Sequence, residues 1–237
     1  MGFDGLNSFQ IKRPYVFSGS EFLLTEAFKA LPAEKMYDFW KETNNGAWGA
    51  LKKNLKDHYI KVQGFQCSYC LQTIEVFHNG AWDAEHIIPR ITHPQFSFEP
   101  LNICVSCKDC NSAKHDKKVV YARVKSKFSK DSDDYLICHP HFDEYSDHIR
   151  VISIAGFYMP KTIKGKNLIE MCGLLRFLFK FSGFECDISQ IQKKTFELNN
   201  ILQETNDPLV MSYVFASLED LGREGRRLLR ERKLVVA

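Results

Sequence analysis

Apolar side chains recur every three to four residues through much of the chain, which predicts helices. Ser20 to Leu31 reads as a first helix, with Phe22, Ala27, Phe28 and Leu31 apolar and Pro32 stopping it. Ala33 to Thr43 follows with Met36, Phe39 and Trp40, and Asn44-Asn45-Gly46 closes it as a turn. Trp48, Leu51, Leu55 and Tyr59 then repeat at helical spacing up to Gly64. These helices read as packing elements; the first seventeen residues read as extended or mobile. Beyond residue 148, Ile149 to Ile154 reads as a short strand ended by Gly156 and Pro160. Leu168, Met171, Leu175 and Leu178 form one apolar stripe. Asp187 is placed to cap a helix carrying Ile188, Ile191, Leu198 and Ile201, and Pro208 starts a last helix ending near Lys233.

The middle of the chain has a different rhythm. Trp82, Ala84 and His86 alternate as in a strand of a short hairpin, which Pro89 ends, so the neighbours Glu85 and His86 point to opposite faces. Asn102 sits in the returning loop Pro100 to Cys107 (PLNICVSC), and the second CxxC caps a helix that starts near Asn111. The expectation is an α+β protein, mostly helical, with a central zinc-stabilised ββα module. Its parts are an N-terminal helical region (1–64), the module and its following loop (65–148), and a C-terminal, mainly helical region (149–237).

Composition changes this picture little. The 237 residues are 44% apolar and 26% charged, an ordinary globular balance with enough apolar material for a core. A net charge of +3 neither demands nor excludes nucleic acid. The start, MGFDGLNSFQIKRPY, lacks an apolar signal segment, and the stretch from Leu174 to Phe181 is too short and too charged to span a bilayer. A cytoplasmic protein without a membrane segment is expected.

Cysteine spacing changes the picture a great deal. Cys67 and Cys70 form one CxxC, and Cys107 and Cys110 form another. Two such pairs in a chain of this length read as four thiolate ligands of a structural Zn²⁺ rather than as disulfides. Cys104, Cys138, Cys172 and Cys186 sit among apolar neighbours and read as buried thiols.

Between the pairs lie Glu85 to Pro89 (EHIIP) and Pro100 to Asn102 (PLN), and Asn111 directly follows the last cysteine in Cys107 to Lys114 (CKDCNSAK). These elements, in this order, resemble the HNH nucleases and their ββα-metal finger, in particular the zinc-bound subset. The resemblance covers about fifty residues. It implies a metal-dependent endonuclease with His86 as general base, Asn102 as the middle Asn and Asn111 as the last catalytic position. Two departures are Asn111, where His is frequent, and Glu85, where Asp is frequent. The chemistry of the residues agrees. A neutral imidazole takes a proton from water near neutral pH. Glu85 and Asn111 offer oxygen ligands suited to Mg²⁺ or Mn²⁺, which stabilises a leaving oxygen. Asn102 reads as a residue that orders the loop and holds the His86 ring.

Lys114, Lys117 and Lys118 belong to a basic run reaching Lys130, through Lys125, and Arg90 follows the base closely. These four are candidate phosphate contacts. The arginine-rich last helix reads as a solvated or partner-binding face. His139, His141 and His148 suggest a loop fastened by hydrogen bonds, with a second metal site as the rival reading; His93 and His115 lie nearer the centre. The expected substrate is DNA, with RNA as the alternative. The architecture also resembles nuclease components of bacterial anti-phage defence systems, some of which act with an ATPase subunit. The contrasting reading is a catalytically silent zinc finger that binds nucleic acid or protein.

Overall fold

The computed structural model describes residues 8–43, 45–76, 79–124, 126–152, 157–179 and 187–235; Lys125 and Cys186 fall outside them. The chain forms two compact units, 1–146 and 147–237. The N-terminal helices and the cysteine-rich module, divided at residue 64 in the sequence reading, share the first unit. The fold is α+β and mostly helical.

In the first unit, helices α1 (Gly19–Lys29), α2 (Ala33–Glu42) and α3 (Gly46–Val62) precede strand β1 (Trp82–His86), strand β2 (Ile103–Cys107) and helix α4 (Lys108–Lys114). β1 and β2 are antiparallel, with Trp82 opposite Cys107, Glu85 opposite Cys104 and His86 opposite Ile103. Phe98, in the connection between the strands, gathers the helices. Its ring centroid lies 4.8 Å from Phe28, 5.1 Å from Trp40 and 5.2 Å from Trp48. Leu51, Leu55 and Tyr59 on α3 are fully buried, at the spacing the apolar stripe predicts.

α3 is also tied to the sheet by hydrogen bonds. Gln63 Oε1 accepts from the Val105 amide at 2.8 Å, while its Nε2 donates to the Val105 carbonyl at 2.9 Å. Ser68 donates to that same carbonyl from its backbone (3.2 Å) and its hydroxyl (3.1 Å). Tyr59 donates to the Pro100 carbonyl at 2.6 Å. The N-terminal helices therefore brace the module through hydrogen bonds as well as through packing.

The chain continues through α5 (Tyr145–His148) into the second unit, with β3 (Ile149–Ile152), β4 (Phe157–Pro160), α6 (Ile163–Met171), α7 (Arg176–Phe179), α8 (Ile188–Glu204) and α9 (Pro208–Val235). β3 and β4 form an antiparallel hairpin, where the spacing predicts one strand over Ile149 to Ile154; residues 153–156 lie outside the described residues. The predicted stripe from Leu168 onward is broken between α6 and α7. Gly173 there takes φ +61°, the left-handed turn that ends helices, and glycine reaches it without strain. Gly165 on α6 has no room for a side chain, because a Cβ would overlap the His148 carbonyl. Asp187 and Gln190 form a reciprocal capping box at the start of α8, which packs on α9. No helix among the described residues is long and apolar enough to cross a membrane.

Candidate functional site

The four cysteines of the CxxC pairs converge, all buried, with their sulfurs within 4.8 Å of one another. Local backbone geometry explains how. Leu71 takes φ +55° and returns its amide to the Cys67 carbonyl at 2.9 Å, which curls the first pair into a knuckle. Cys107 ends β2 and caps α4, its sulfur accepting from the Cys110 amide at 3.4 Å. The Cys107 amide in turn donates to the Cys67 sulfur at 3.3 Å. Sulfurs around a tetrahedral zinc at about 2.3 Å stand about 3.8 Å apart; Cys70 and Cys107 are 3.9 Å apart. The four sulfurs suit a metal such as zinc. The other described cysteines, Cys104, Cys138 and Cys172, are buried thiols.

His86 ends β1 and is 8% exposed. Its Nε2 lies 3.0 Å from the Ser97 carbonyl. A carbonyl only accepts, so Nε2 carries the proton and Nδ1 keeps the lone pair. The Trp40 ring stands edge-on to the imidazole at 4.5 Å. Burial foremost, then the positive charge of Arg90, lowers the His86 pKa to about 3; Lys114 and Lys52 add to this. The ring is thus neutral at neutral pH.

Asn102 is fully buried and bonds through both its amide oxygen and its amide nitrogen. Oδ1 accepts from the Ile88 amide at 2.7 Å, and Nδ2 donates to the Ile88 and Phe96 carbonyls at 3.2 Å each. It orders the loop carrying Ser97, so it acts on His86 through that carbonyl rather than by touching the ring. The segment after Cys138 braces the other side. His141 Nε2 donates to the Ile103 carbonyl at 2.8 Å, on the residue opposite His86. The His139 amide donates to Asp143 Oδ2 at 2.7 Å. In the second unit, His148 Nδ1 lies 2.7 Å from the Thr162 hydroxyl.

Glu85 and Lys114 form a buried ion pair at 2.5 Å, their side chains 7% and 1% exposed. Tyr69 donates to the same carboxylate at 3.2 Å, and Lys114 also donates to the His86 carbonyl at 3.0 Å. Burial raises the Glu85 pKa, and Lys114 opposes that shift. Lys114, expected to contact nucleic acid, is enclosed, and its ammonium pairs with Glu85. Glu85, expected to hold a metal, instead faces Lys114.

The carboxylate that meets Asn111 is Asp83. Asn111 Nδ2 donates to Asp83 Oδ2 at 2.8 Å, and Lys108 pairs with the other oxygen. Strand alternation puts Asp83 and Glu85 on one face. That rule could have drawn attention to Asp83, but only the position of α4 decides which acid meets Asn111 and which meets Lys114.

These groups line one cleft of about 390 Å³, with Tyr37, Trp40, Asp83, His86, Arg90 and Asn111 on its walls. Tyr37 and Trp40 come from α2, which the sequence reading treated as packing alone. Arg90 is half-buried and donates to the Tyr37 carbonyl at 2.8 Å. His115 lines the cleft and is exposed, as are Lys117 and Lys118 next to it in sequence. His93 is turned away, its Nε2 lying 3.1 Å from the Val124 carbonyl and its ring stacked on Phe96.

No protein-family profile matches the chain, and no solved structure matches it. Over 140 residues the chain is 24% identical to Septu protein PtuB from Bacillus thuringiensis. That stretch covers 59% of this chain and 48% of the relative, so the chain spans about half the length of the curated protein to which it is distantly similar.

Proposed function

We propose that the protein is a metal-dependent endonuclease of the HNH type that hydrolyses phosphodiester bonds, most naturally in DNA. The observation that carries this reading is the setting of His86. A neutral imidazole, anchored through Nε2 on the Ser97 carbonyl, opens a cleft that also holds Asn111, Asp83 and Arg90. Structural zinc alone gives no reason for that constellation.

In this reading Nδ1 of His86 takes the proton of the attacking water. Trp40 and the Ser97 carbonyl fix the ring, and Asn102 fixes the loop behind it. Arg90 faces the phosphate. Asp83 and Asn111 are the oxygen donors fitted to hold Mg²⁺ or Mn²⁺, with Glu85 behind them in its ion pair. The cation, when bound, stabilises the leaving oxygen and the charged phosphoryl group. Zn²⁺ on the four cysteines holds the scaffold.

Beside the distant similarity to Septu protein PtuB, the resemblance of the architecture to nuclease components of anti-phage systems extends this reading to a place in defence against phage, with a partner protein such as an ATPase subunit. The test is cleavage of plasmid DNA and of structured RNA with Mg²⁺ or Mn²⁺, by the full chain alone and with co-purifying partners. His86→Ala is expected to lower the rate by about 10²- to 10⁴-fold while zinc content and helicity stay unchanged. Wild-type rates in His86→Ala would remove the histidine from the chemistry. Binding without cleavage under every metal and partner would leave a silent finger.

A further inference from the structure

The walls of the cleft say something about the strand it accepts. α2 meets its packing needs with Met36 and Phe39: Met36 is buried, and the Phe39 ring lies 4.7 Å from Trp48 and 5.4 Å from Phe28. Tyr37 and Trp40, one turn apart on the same helix, are only half-buried and line the cleft. Trp40 is taken up by His86 and Phe98. Tyr37 has Lys41 at 5.5 Å and Arg90 at 5.7 Å from its ring centroid. An aromatic ring with two cations close to it, beside a buried histidine, brings together the two elements that hold an unpaired strand: a ring for a base and charges for its phosphates.

Depth points the same way. His86 is 8% exposed and sits between α2 and the start of α4. In a duplex the phosphates lie outermost but the base faces are stacked inside, out of reach of a ring beside the phosphate. A single strand can turn its bases outward, and enzymes that act on a base take it out of the stack.

We propose that this cleft binds a polynucleotide strand that is unpaired at the phosphate facing His86, with the neighbouring base stacked on Tyr37. This rests on the nucleic-acid reading of the cleft given above. The shared ligand chemistry is an unpaired sugar-phosphate strand, and separate DNA and RNA arms identify the sugar.

The experiment measures binding by the full zinc-loaded chain, without added Mg²⁺ or Mn²⁺, so that it does not depend on turnover. Probes are labelled single strands, matched duplexes and duplexes with a central bubble, each as DNA and as RNA, carrying a fluorescent purine analogue. Bubbles and single strands are expected to bind about ten-fold or more tightly than the matched duplex, with the analogue quenched on binding. Tyr37→Ala is expected to lose about 5- to 150-fold of that affinity together with the quenching, and Tyr37→Phe to recover most of both. Equal affinity for paired and unpaired probes overturns the proposal. So does Tyr37→Ala binding unpaired probes like wild type, once zinc content and helicity show it folded. Failure to cleave any substrate would count against the nuclease reading alone, because this comparison reads binding.

Discussion

Asn111 Nδ2 lies 2.8 Å from Asp83 Oδ2. A carboxylate cannot donate, so the amide nitrogen must face Asp83 and the amide oxygen is turned away from it. In the proposed metal site, Asp83 thus fixes which atom Asn111 would offer as a ligand. Asp83→Ala and Asn111→Ala should each raise the Mn²⁺ concentration for half-maximal cleavage by about 10- to 100-fold, and added Mn²⁺ should restore part of the rate. Glu85→Gln should leave that titration in place while lowering the melting temperature. The reverse pattern, with Glu85 controlling the metal titration, would return the ligand role to Glu85.

The Glu85–Lys114 pair sets a second expectation. Removing one member of a buried pair strands the other charge, at a cost of about 3–5 kcal/mol. Lys114→Met should destabilise the protein by that order in urea melts, and the double variant Glu85→Gln, Lys114→Met should recover part of it. The salt dependence of nucleic-acid binding should be the same in the double variant as in wild type. A weaker salt slope would mean that Lys114 reaches phosphate after all.

Asn102 commits both amide hydrogens and its oxygen to the bonds it makes to Ile88 and Phe96. Asn102→Ala would leave buried backbone groups unpaired, each costing about 1–3 kcal/mol. It should lower both stability and cleavage, because the Ser97 carbonyl loses its support. Full activity at a temperature where the variant is folded would separate Asn102 from the placement of His86.

The cysteine cluster predicts a sharper response. Zinc in finger peptides contributes about 10–16 kcal/mol of apparent binding energy. Cys107→Ser also removes the sulfur that caps α4. Metal analysis should show zinc loss, and circular dichroism should show a partly unfolded first unit. A folded variant with no metal in either protein would argue against the four-thiolate site.

Burial, opposed by the Ile103 carbonyl, lowers the His141 pKa to about 4. In the unfolded chain the value is about 6.5. Between these values the unfolded state binds more protons, so stability falls as pH drops through that window. His141→Gln retains a donor for the carbonyl but does not titrate. Its melting temperature should decline less steeply than wild type between about pH 6.5 and 4; parallel declines would show that His141 is not the group responsible.

Much of the scaffold could be read from residue spacing. The CxxC pairs bring their sulfurs together, the Leu51–Leu55–Tyr59 repeat is the buried face of α3, and Asp187 caps α8. Alternation separated Glu85 from His86, but it cannot say which acid on the α4 side meets which partner. That choice depends on the reach of Lys114 from the end of α4 and on Asn111 one turn earlier. The α2 wall was hidden for a related reason. Tyr37 and Trp40 continue an apolar helix surface, and a packing face and a cleft face look alike until the neighbour is known. At Gly173 a single left-handed residue interrupted a stripe whose periodicity ran straight through it.

Gln63 and Ser68 occupy both hydrogen-bonding groups that Val105 turns away from β1. Side chains thereby seal that flank of the two-stranded ribbon. No incoming strand can zip onto it without first displacing them, so a partner approaching from this side must grip by shape and charge, and self-association by ribbon extension is blocked there.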